Sequence, residues 1–510
     1  MMDFVRRIHF VGIGGVGMSG IAQVLLNLGY SVSGSDLKAT ELTRRLAAAG
    51  AEVRIGHRAA NIRGAEVVVI STAVPPSNPE VAAARAAGIP VARRVELLAE
   101  IARLKKTITV SGTHGKTTTT AMAAMALQAA GADPTVIVGG QVANLEAESP
   151  RPRTAGGSRS RHELPVGGTN ARVGLGEYLV AEADESDGSF LKLYPLVAVV
   201  TNIDDDHLEH YGGFSALKKA FLEHLHHLPF YGTAVLCADD PVLRGLMGRV
   251  RRPVVTYGLA PGSGSGRRAG TRGGAADWCG VVLPAAGKGG LGAGTRMAVY
   301  HQGRKKGVLK LRVAGRHNAL NALAAVAVGG FLGLDLRKVF RGLSSFSGVG
   351  RRMERLGEAG GIDFIDDYGH HPTEVRATLE ALAGTSARRG PAAGRRWAGK
   401  RRIVAVFQPH RYSRTKALHR AFGPAVRKAD AVYVMDIYPA GERPIPGVTS
   451  KLILDAVRRA GVPAYPFTRP VDLVRELREG DVVLTLGAGD VWKVGMDLLR
   501  RLQSRTFVAL

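Results

Sequence analysis

Short, mostly apolar runs alternate with longer amphipathic stretches along most of this chain. Runs at residues 8–11, 67–70, 107–110, 177–182 and 196–202 have the length of strands and the continuous apolar character of strands buried on both sheet faces. Between and after them, residues 18–26, 42–49, 121–130 and 318–331 repeat apolar side chains at helical spacing. The alternation resumes with strand-like runs at 402–407, 431–435 and 481–486. It predicts an α/β fold of parallel strand–helix units. Its breaks predict three domains, 1–105, 106–345 and 346–510, and a chain of 510 residues is indeed too long for one ordinary core. Residues 261–307 are glycine-rich and poorly periodic, with a few short strands expected, such as 296–301. No internal repeat of fixed short period is found.

Composition narrows the class. Two cysteines, Cys237 and Cys279, exclude a disulfide framework and a cysteine-built zinc site. The first residues, Met1-Met2-Asp3-Phe4-Val5-Arg6-Arg7, lack a signal-peptide core, and no uncharged apolar run approaches the ~20 residues that span a bilayer. The expectation is a cytoplasmic protein that is not embedded in a membrane. The formal charge of +26 raises a nucleic-acid reading, but much of the excess lies in the stretches 151–161, 267–272 and 388–402. These are rich in Gly, Ala, Ser and Pro and carry one aromatic residue, Trp397, so they read as solvated insertions and no specific nucleic-acid binding is expected.

Two glycine-rich loops carry the first chemistry. Gly12-Ile13-Gly14-Gly15-Val16-Gly17 follows a strand-like run and leads into a helix, so backbone amides at the helix start can receive a diphosphate. Asp36 closes the second strand at the spacing a dinucleotide fold uses, although the bland alternative for such a loop is a tight turn. Gly112-Thr113-His114-Gly115-Lys116-Thr117-Thr118 likewise joins a strand to a helix. Lys116 would reach terminal phosphates and Thr117 would ligate magnesium. It is not a strict Walker A loop, because Val110 stands where that spacing requires Gly. Two phosphorylated ligands are therefore expected.

Downstream lie two clusters of metal-ligand types, Glu182-Ala183-Asp184-Glu185-Ser186-Asp187 and Asn202-Ile203-Asp204-Asp205-Asp206-His207. Carboxylates so close repel unless cations share the site, and magnesium held jointly with nucleotide phosphates is the economical answer. Asn318 and Asn321 share a helix face and could read an adenine edge, or cap the helix. In the last segment, Asp366-Asp367-Tyr368-Gly369-His370-His371-Pro372-Thr373 and Gln408-Pro409-His410-Arg411-Tyr412-Ser413-Arg414 each follow a strand-like run. Arg411 and Arg414 suit a carboxylate or phosphate clamp, and beside nucleotide machinery that reading is preferred over a metal site for the paired histidines.

Together with His9-Phe10-Val11 ahead of the first loop, Met18-Ser19-Gly20-Ile21-Ala22 after it and His317 beside Asn318, these motifs stand in the order found in the Mur ligases of peptidoglycan synthesis. The chain closely resembles that family over all three segments, and the short phosphate loop resembles the family's G-x-x-G-K-[ST] form. The resemblance implies an N-terminal Rossmann-like domain for a UDP-sugar, a central P-loop-type ATPase domain with a mostly parallel sheet, and a mobile C-terminal Rossmann-like domain. It implies that ATP phosphorylates the lactyl carboxylate of UDP-N-acetylmuramate and that L-alanine displaces phosphate from the acyl phosphate. Carried over, Lys116 meets the β and γ phosphates, Thr117 and Glu182 hold one magnesium ion, and His207 holds a second. Gly112, Thr113, His114, Gly115 and Thr118 complete the ATP loop; Asn318 and Asn321 hold adenine, while Arg352 and Asp367 contact ATP. Tyr368, His370, Arg411 and Arg414 form the amino-acid pocket, with His370 among the catalytic candidates. Gly14, Gly15, Val16, Gly17, Met18, Ser19, Asp36 and Ser71 are the UDP-sugar candidates.

Stretches around 150–168, 261–306 and 385–402 exceed the family pattern, and Lys218 and Lys219 do not match the carbamylated lysine of later-acting members, so no carbamate is assigned. A ligase that attaches a whole tripeptide to UDP-N-acetylmuramate is the nearest rival, since it would share nearly the entire site. An NAD-dependent dehydrogenase would use the first loop and Asp36 but leave Lys116, Glu182 and His207 idle, and a binding module with a degenerate ATPase is the third alternative. No feature specifies an oligomeric state.

Overall fold

A computed structural model describes residues 5–71, 73–142, 145, 169–260, 276–284, 294–386 and 401–508. The chain separates into two compact units, one of residues 1–281, 298–309 and 320–346, the other of 282–297, 310–319 and 347–510. The described residues form three sheets. The first is parallel, in the order Glu52–Ile55, Ser31–Asp36, Arg7–Val11, Val67–Ile70, Val91–Arg93. Its middle strand holds Ile8, Phe10 and Val11 almost wholly away from solvent, as an apolar strand covered on both faces must be.

The central sheet has ten strands. Lys106–Ser111 lies between Tyr178–Glu182 and Val197–Val200, parallel to both. Three parallel strands thus deliver the phosphate loop and both acidic clusters to one sheet edge, the C-terminal end at which ligands bind in open α/β sheets. Beyond Tyr178–Glu182 come Thr135–Val142, parallel, and Thr169–Arg172, antiparallel to it. On the other side follow Thr233–Cys237, Val254–Leu259, Trp278–Val282, Arg296–His301 and Arg304–Lys310. The described residues of 261–307 thus include the strands Trp278–Val282 and Arg296–His301 and the start of Arg304–Lys310, of which the sequence singled out the second by position. Gln302 and Gly303, with φ of 48° and 77°, make the two-residue loop between the last pair, a turn that favours glycine.

The third sheet runs Glu354–Ala359, Ile362–Asp367, Val482–Leu486, Ile403–Phe407, Ala431–Val434, Ala464–Pro466, antiparallel only at its first pair. Apolar clusters cover both faces, one around Phe407, Phe422 and Leu484, the other around Phe364, Val406 and Leu498. The basic stretches 151–161 and 267–272 lie outside the described residues, as do 388–400. Arg401 and Arg402 are described and are partly buried in ion pairs: their guanidinium groups reach Asp363 at 2.5 Å and Asp481 at 2.7 Å. Among the described residues no helix is long and apolar enough to cross a membrane.

Candidate active site

The first loop is braced from the neighbouring strand. Gly12 takes φ of 80°, which favours glycine, and the Ser35 carbonyl accepts the amides of Gly12 and Ile13 at 2.8 and 2.9 Å. Asp36 Oδ2 accepts the Gly14 amide at 2.8 Å, so this carboxylate, expected to face a sugar nucleotide, also holds the loop itself. A Cβ on Gly14 would meet that same oxygen at 2.9 Å, and one on Gly17 would meet Arg94 Nη1 at 2.2 Å. Gly15 caps the helix Val16–Asn27. Met18 and Ser19 are buried, and Asn170 Nδ2 donates to Ser19 Oγ at 3.2 Å, so these two side chains pack inward. Ser71 follows the strand Val67–Ile70 and its carbonyl accepts the Val74 amide.

The second loop is strapped to the end of the strand Val197–Val200. Asn202 accepts the Thr113 amide through its carbonyl and the His114 amide through Oδ1, at 3.1 and 2.9 Å. Asn202 Nδ2 and Thr201 Oγ1 donate back to the His114 carbonyl, and the Asp204 amide donates to Thr113 Oγ1. His114 Nε2 lies 3.0 Å from Asp204 Oδ2. Gly112 has φ of 122° and a Cβ there would fall 2.2 Å from Thr201 Oγ1; Gly115 has φ of 82° and would press Asn321 Oδ1. The helix Lys116–Ala129 starts directly after Gly115, several residues before the apolar period becomes visible, and Thr118 is buried in its first turn.

Lys116 Nζ donates to the carbonyls of Gly112 and Thr113 and to Glu185 Oε1 at 2.7, 3.2 and 2.8 Å. Thr117 Oγ1 donates to Glu182 Oε1 at 3.1 Å, and the Gly139 amide donates to Glu182 Oε2 at 2.7 Å. Burial pushes Glu182 and Glu185 up, the latter to about 7 against the pull of Lys116. Burial alone would pull Lys116 down, but Glu185, Asp184 and Glu182 hold it protonated above its ordinary range. Several carboxylates share one lysine, and Glu185 Oε2 is buried with no hydrogen-bond partner. His207 stands at φ of 57° as cap of the short helix Leu208–Tyr211, and Asp184 is held down against burial chiefly by the Lys116 charge and by hydrogen bonds from Ser186. A hydroxyl beside a partly buried carboxylate is a donor set that fits a hard divalent ion such as magnesium.

In the second unit, Arg352 stacks over Tyr368 at 5.1 Å and reaches Glu374 at 3.2 Å. Asp367 accepts the amides of Gly369 and Met353, both at 2.8 Å, while burial raises it to about 6. Tyr368 meets His370 edge to face at 5.5 Å, and His370 lies 5.4 Å from His410, which stacks on Tyr438. Arg414 Nη1 is 3.2 Å from His410 Nδ1. Arg411 has φ of 70° and donates its amide to the Tyr438 carbonyl. The structure thus links Tyr368, His370, His410 and Arg414 in one run of contacts, with Arg411 held beside Tyr438. Glu374, His410 and Tyr438 contact these candidates and were not among them; His410 stood inside a quoted motif, but Tyr438 had no local signal. Asn318 Nδ2 donates to the Ala314 carbonyl at 2.7 Å, just ahead of the helix Arg316–Phe331.

Parallel-rich sheets, two glycine loops at helix starts and a lysine–threonine pair meeting strand-end acids define a multidomain nucleotide-binding α/β protein. More particularly, the chain belongs to the Mur ligase family. Family models described as Mur ligase catalytic, middle and glutamate ligase domains match residues 7–106, 110–329 and 351–489. A protein of Endomicrobium trichonymphae named UDP-N-acetylmuramate--L-alanine ligase is 46% identical over 494 residues, 97% of this chain and 98% of that one. One of the same name from Laribacter hongkongensis is 47% identical, covering 96% and 97%. Among solved structures, UDP-N-acetylmuramate-alanine ligase MurC of Thermotoga maritima matches with a TM-score of 0.74 at 30% identity, covering 98% of this chain and 99% of that one. A murein peptide ligase of Psychrobacter arcticus matches in fold, with a TM-score of 0.65 at 22% identity and 98% coverage of both chains.

Proposed function

We propose that this chain is an ATP-dependent ligase that joins L-alanine to the lactyl carboxylate of UDP-N-acetylmuramate in peptidoglycan synthesis, releasing ADP and phosphate. The observation that carries the reading is the Lys116, Thr117 and Glu182 constellation at the strand ends, in a chain nearly half identical over its length to proteins named for that reaction. A carboxylate resists amines until one oxygen becomes a good leaving group. Transfer of the γ-phosphoryl group makes that change, the amine of alanine then attacks, and the tetrahedral adduct expels phosphate. Holding the three substrates together removes an entropic barrier of up to roughly 7–11 kcal/mol.

In this reading domains of 1–105, 106–345 and 346–510 bind the UDP-sugar, bind ATP and bring the amino acid. Gly14, Gly15, Val16, Gly17, Met18, Ser19, Asp36 and Ser71 border the UDP-sugar, with Asp36 fixing the loop. Gly112 to Thr118 cradle ATP, with Lys116 leaving Glu185 for the β and γ phosphates; Asn321 beside Gly115 and Asn318 serve adenine, and Arg352 and Asp367 serve ATP. Tyr368, His370, Arg411 and Arg414 take L-alanine. Thr117 and Glu182 would hold one magnesium ion and His207 a second, which neutralise phosphate charge when bound. The setting is cytoplasmic. Phosphate release is measured with UDP-N-acetylmuramate, ATP and, in turn, L-alanine, glycine, L-serine and the tripeptide. Release with L-alanine is expected; release with tripeptide and not L-alanine assigns the rival ligase instead.

A further inference from the structure

The first sheet buries a polar cluster that neither glycine loop contains. Glu80, in the first turn of the helix Pro79–Ala86, is fully buried, as are His9 and Ser35. Ser35 Oγ donates to Glu80 Oε2 at 2.6 Å, and Asn61 Nδ2 donates to Oε1 at 2.5 Å. His57 Nδ1 is 3.2 Å from Glu80 Oε2, with His9 Nε2 at 3.8 Å on the other side. Burial would raise this carboxyl, but the groups from His9, Ser35 and Asn61 outweigh it and hold Glu80 down at about 2, so it is a buried anion. An isolated buried carboxylate is costly, and this one is retained with a full set of partners drawn from distant parts of the chain.

Ser35 connects the cluster to the loop. Its hydroxyl is fixed by Glu80, its carbonyl takes the amides of Gly12 and Ile13, and the next residue, Asp36, takes the amide of Gly14. Residues 35 and 36 therefore set the path of the loop backbone over three successive residues, and Glu80 and His57 together hold the Ser35 hydroxyl, on a strand paired to both neighbours. We propose that Glu80 is a positioning residue for the UDP-sugar site, keeping the Gly12–Gly17 loop in its phosphate-receiving shape through Ser35 without touching the ligand. This rests on the reading of that loop as the UDP-N-acetylmuramate site. A loop already shaped for its ligand loses less freedom on binding, so the cluster contributes to affinity for one substrate only.

The test uses the full chain with Glu80→Gln, Ser35→Ala and the double variant, and titrates UDP-N-acetylmuramate by calorimetry without ATP. Glu80→Gln keeps the shape but faces the Asn61 and Ser35 donors with an amide. Each single variant is expected to weaken binding by about tenfold, the scale of one lost charge-assisted hydrogen bond. The double variant is expected to lose little more, because both act through one contact. In steady state, KM for UDP-N-acetylmuramate rises while kcat and the KM values for ATP and L-alanine stay within twofold. Unchanged affinity in Glu80→Gln, fully additive losses, or an equal rise of all three KM values overturns the inference. A wild-type chain that does not bind UDP-N-acetylmuramate instead overturns the functional reading beneath it.

Discussion

Lys116 Nζ sits 2.8 Å from Glu185 Oε1 in a buried pair, so the lysine expected to meet phosphate is already held by an internal anion. Nucleotide must compete for it. Breaking an isolated buried pair costs about 3–5 kcal/mol, and the cost here is smaller because Asp184 and Glu182 still face the lysine. Glu185→Gln is therefore expected to lower the melting temperature without nucleotide and to enlarge the rise that ATP and magnesium produce, since phosphates then supply the missing counter-charge. Equal ATP-induced shifts in the two proteins would show that the pair does not oppose nucleotide binding.

Lys116→Ala separates chemistry from sugar-nucleotide binding. Losing a preorganised cation at developing phosphate charge is expected to lower kcat by about a thousandfold. The first loop makes its contacts with Ser35 and Asp36, so calorimetric affinity for UDP-N-acetylmuramate should stay within twofold. Retained turnover would contradict the role of Lys116.

The parts of the site that were legible in the sequence are those written in consecutive residues. Gly12 to Gly17 and Gly112 to Thr117 each join strand to helix within a few positions, so the local pattern names the loop, the helix start and the reactive side chain together. Glu182 and the acids after it were visible as a cluster, but not that Lys116 would choose Glu185, because burial and not spacing decides the pairing. Glu80 had no signal beyond a helix-start motif, Asn78-Pro79-Glu80. Its partners come from residues 9, 35, 57 and 61, which only the sheet order brings together. The strands Trp278–Val282 and Arg304–Lys310 escaped because glycine-rich flanks erase periodicity, leaving Gln302-Gly303 as the one hairpin cue.

Gly139 tests the acid that would hold magnesium. A Cβ there would lie 2.7 Å from Glu182 Oε2, and the atom it strikes is the far end of a flexible side chain. Gly139→Ala should therefore displace the carboxylate more than it destabilises the fold. The magnesium concentration for half-maximal activity is expected to rise on the order of tenfold, as when the support of a metal ligand is removed, with KM for UDP-N-acetylmuramate unchanged. An unchanged magnesium profile would mean Glu182 does not hold the ion.

His224 gives the central domain an acid-sensitive core. It is fully buried, lies 3.2 Å from Thr109 Oγ1 through Nε2 and packs on Phe190, with ring centres 4.9 Å apart. Burial pulls it down from 6.5 to about 3, with the neighbouring His227 adding to the effect. The folded protein thus keeps this imidazole neutral where the unfolded chain takes a proton. The stability it contributes is full above pH 6.5 and is lost as pH falls from there toward about 3. Each pH unit in that window costs about 1.4 kcal/mol at most, so near pH 5 roughly 2 kcal/mol is gone. His224→Gln keeps a polar partner for Thr109 but cannot titrate, and it lowers stability at neutral pH through imperfect packing. Its stability measured in urea should nevertheless fall less steeply between pH 6.5 and 5 than that of the wild type; parallel slopes would place the acid-labile group elsewhere.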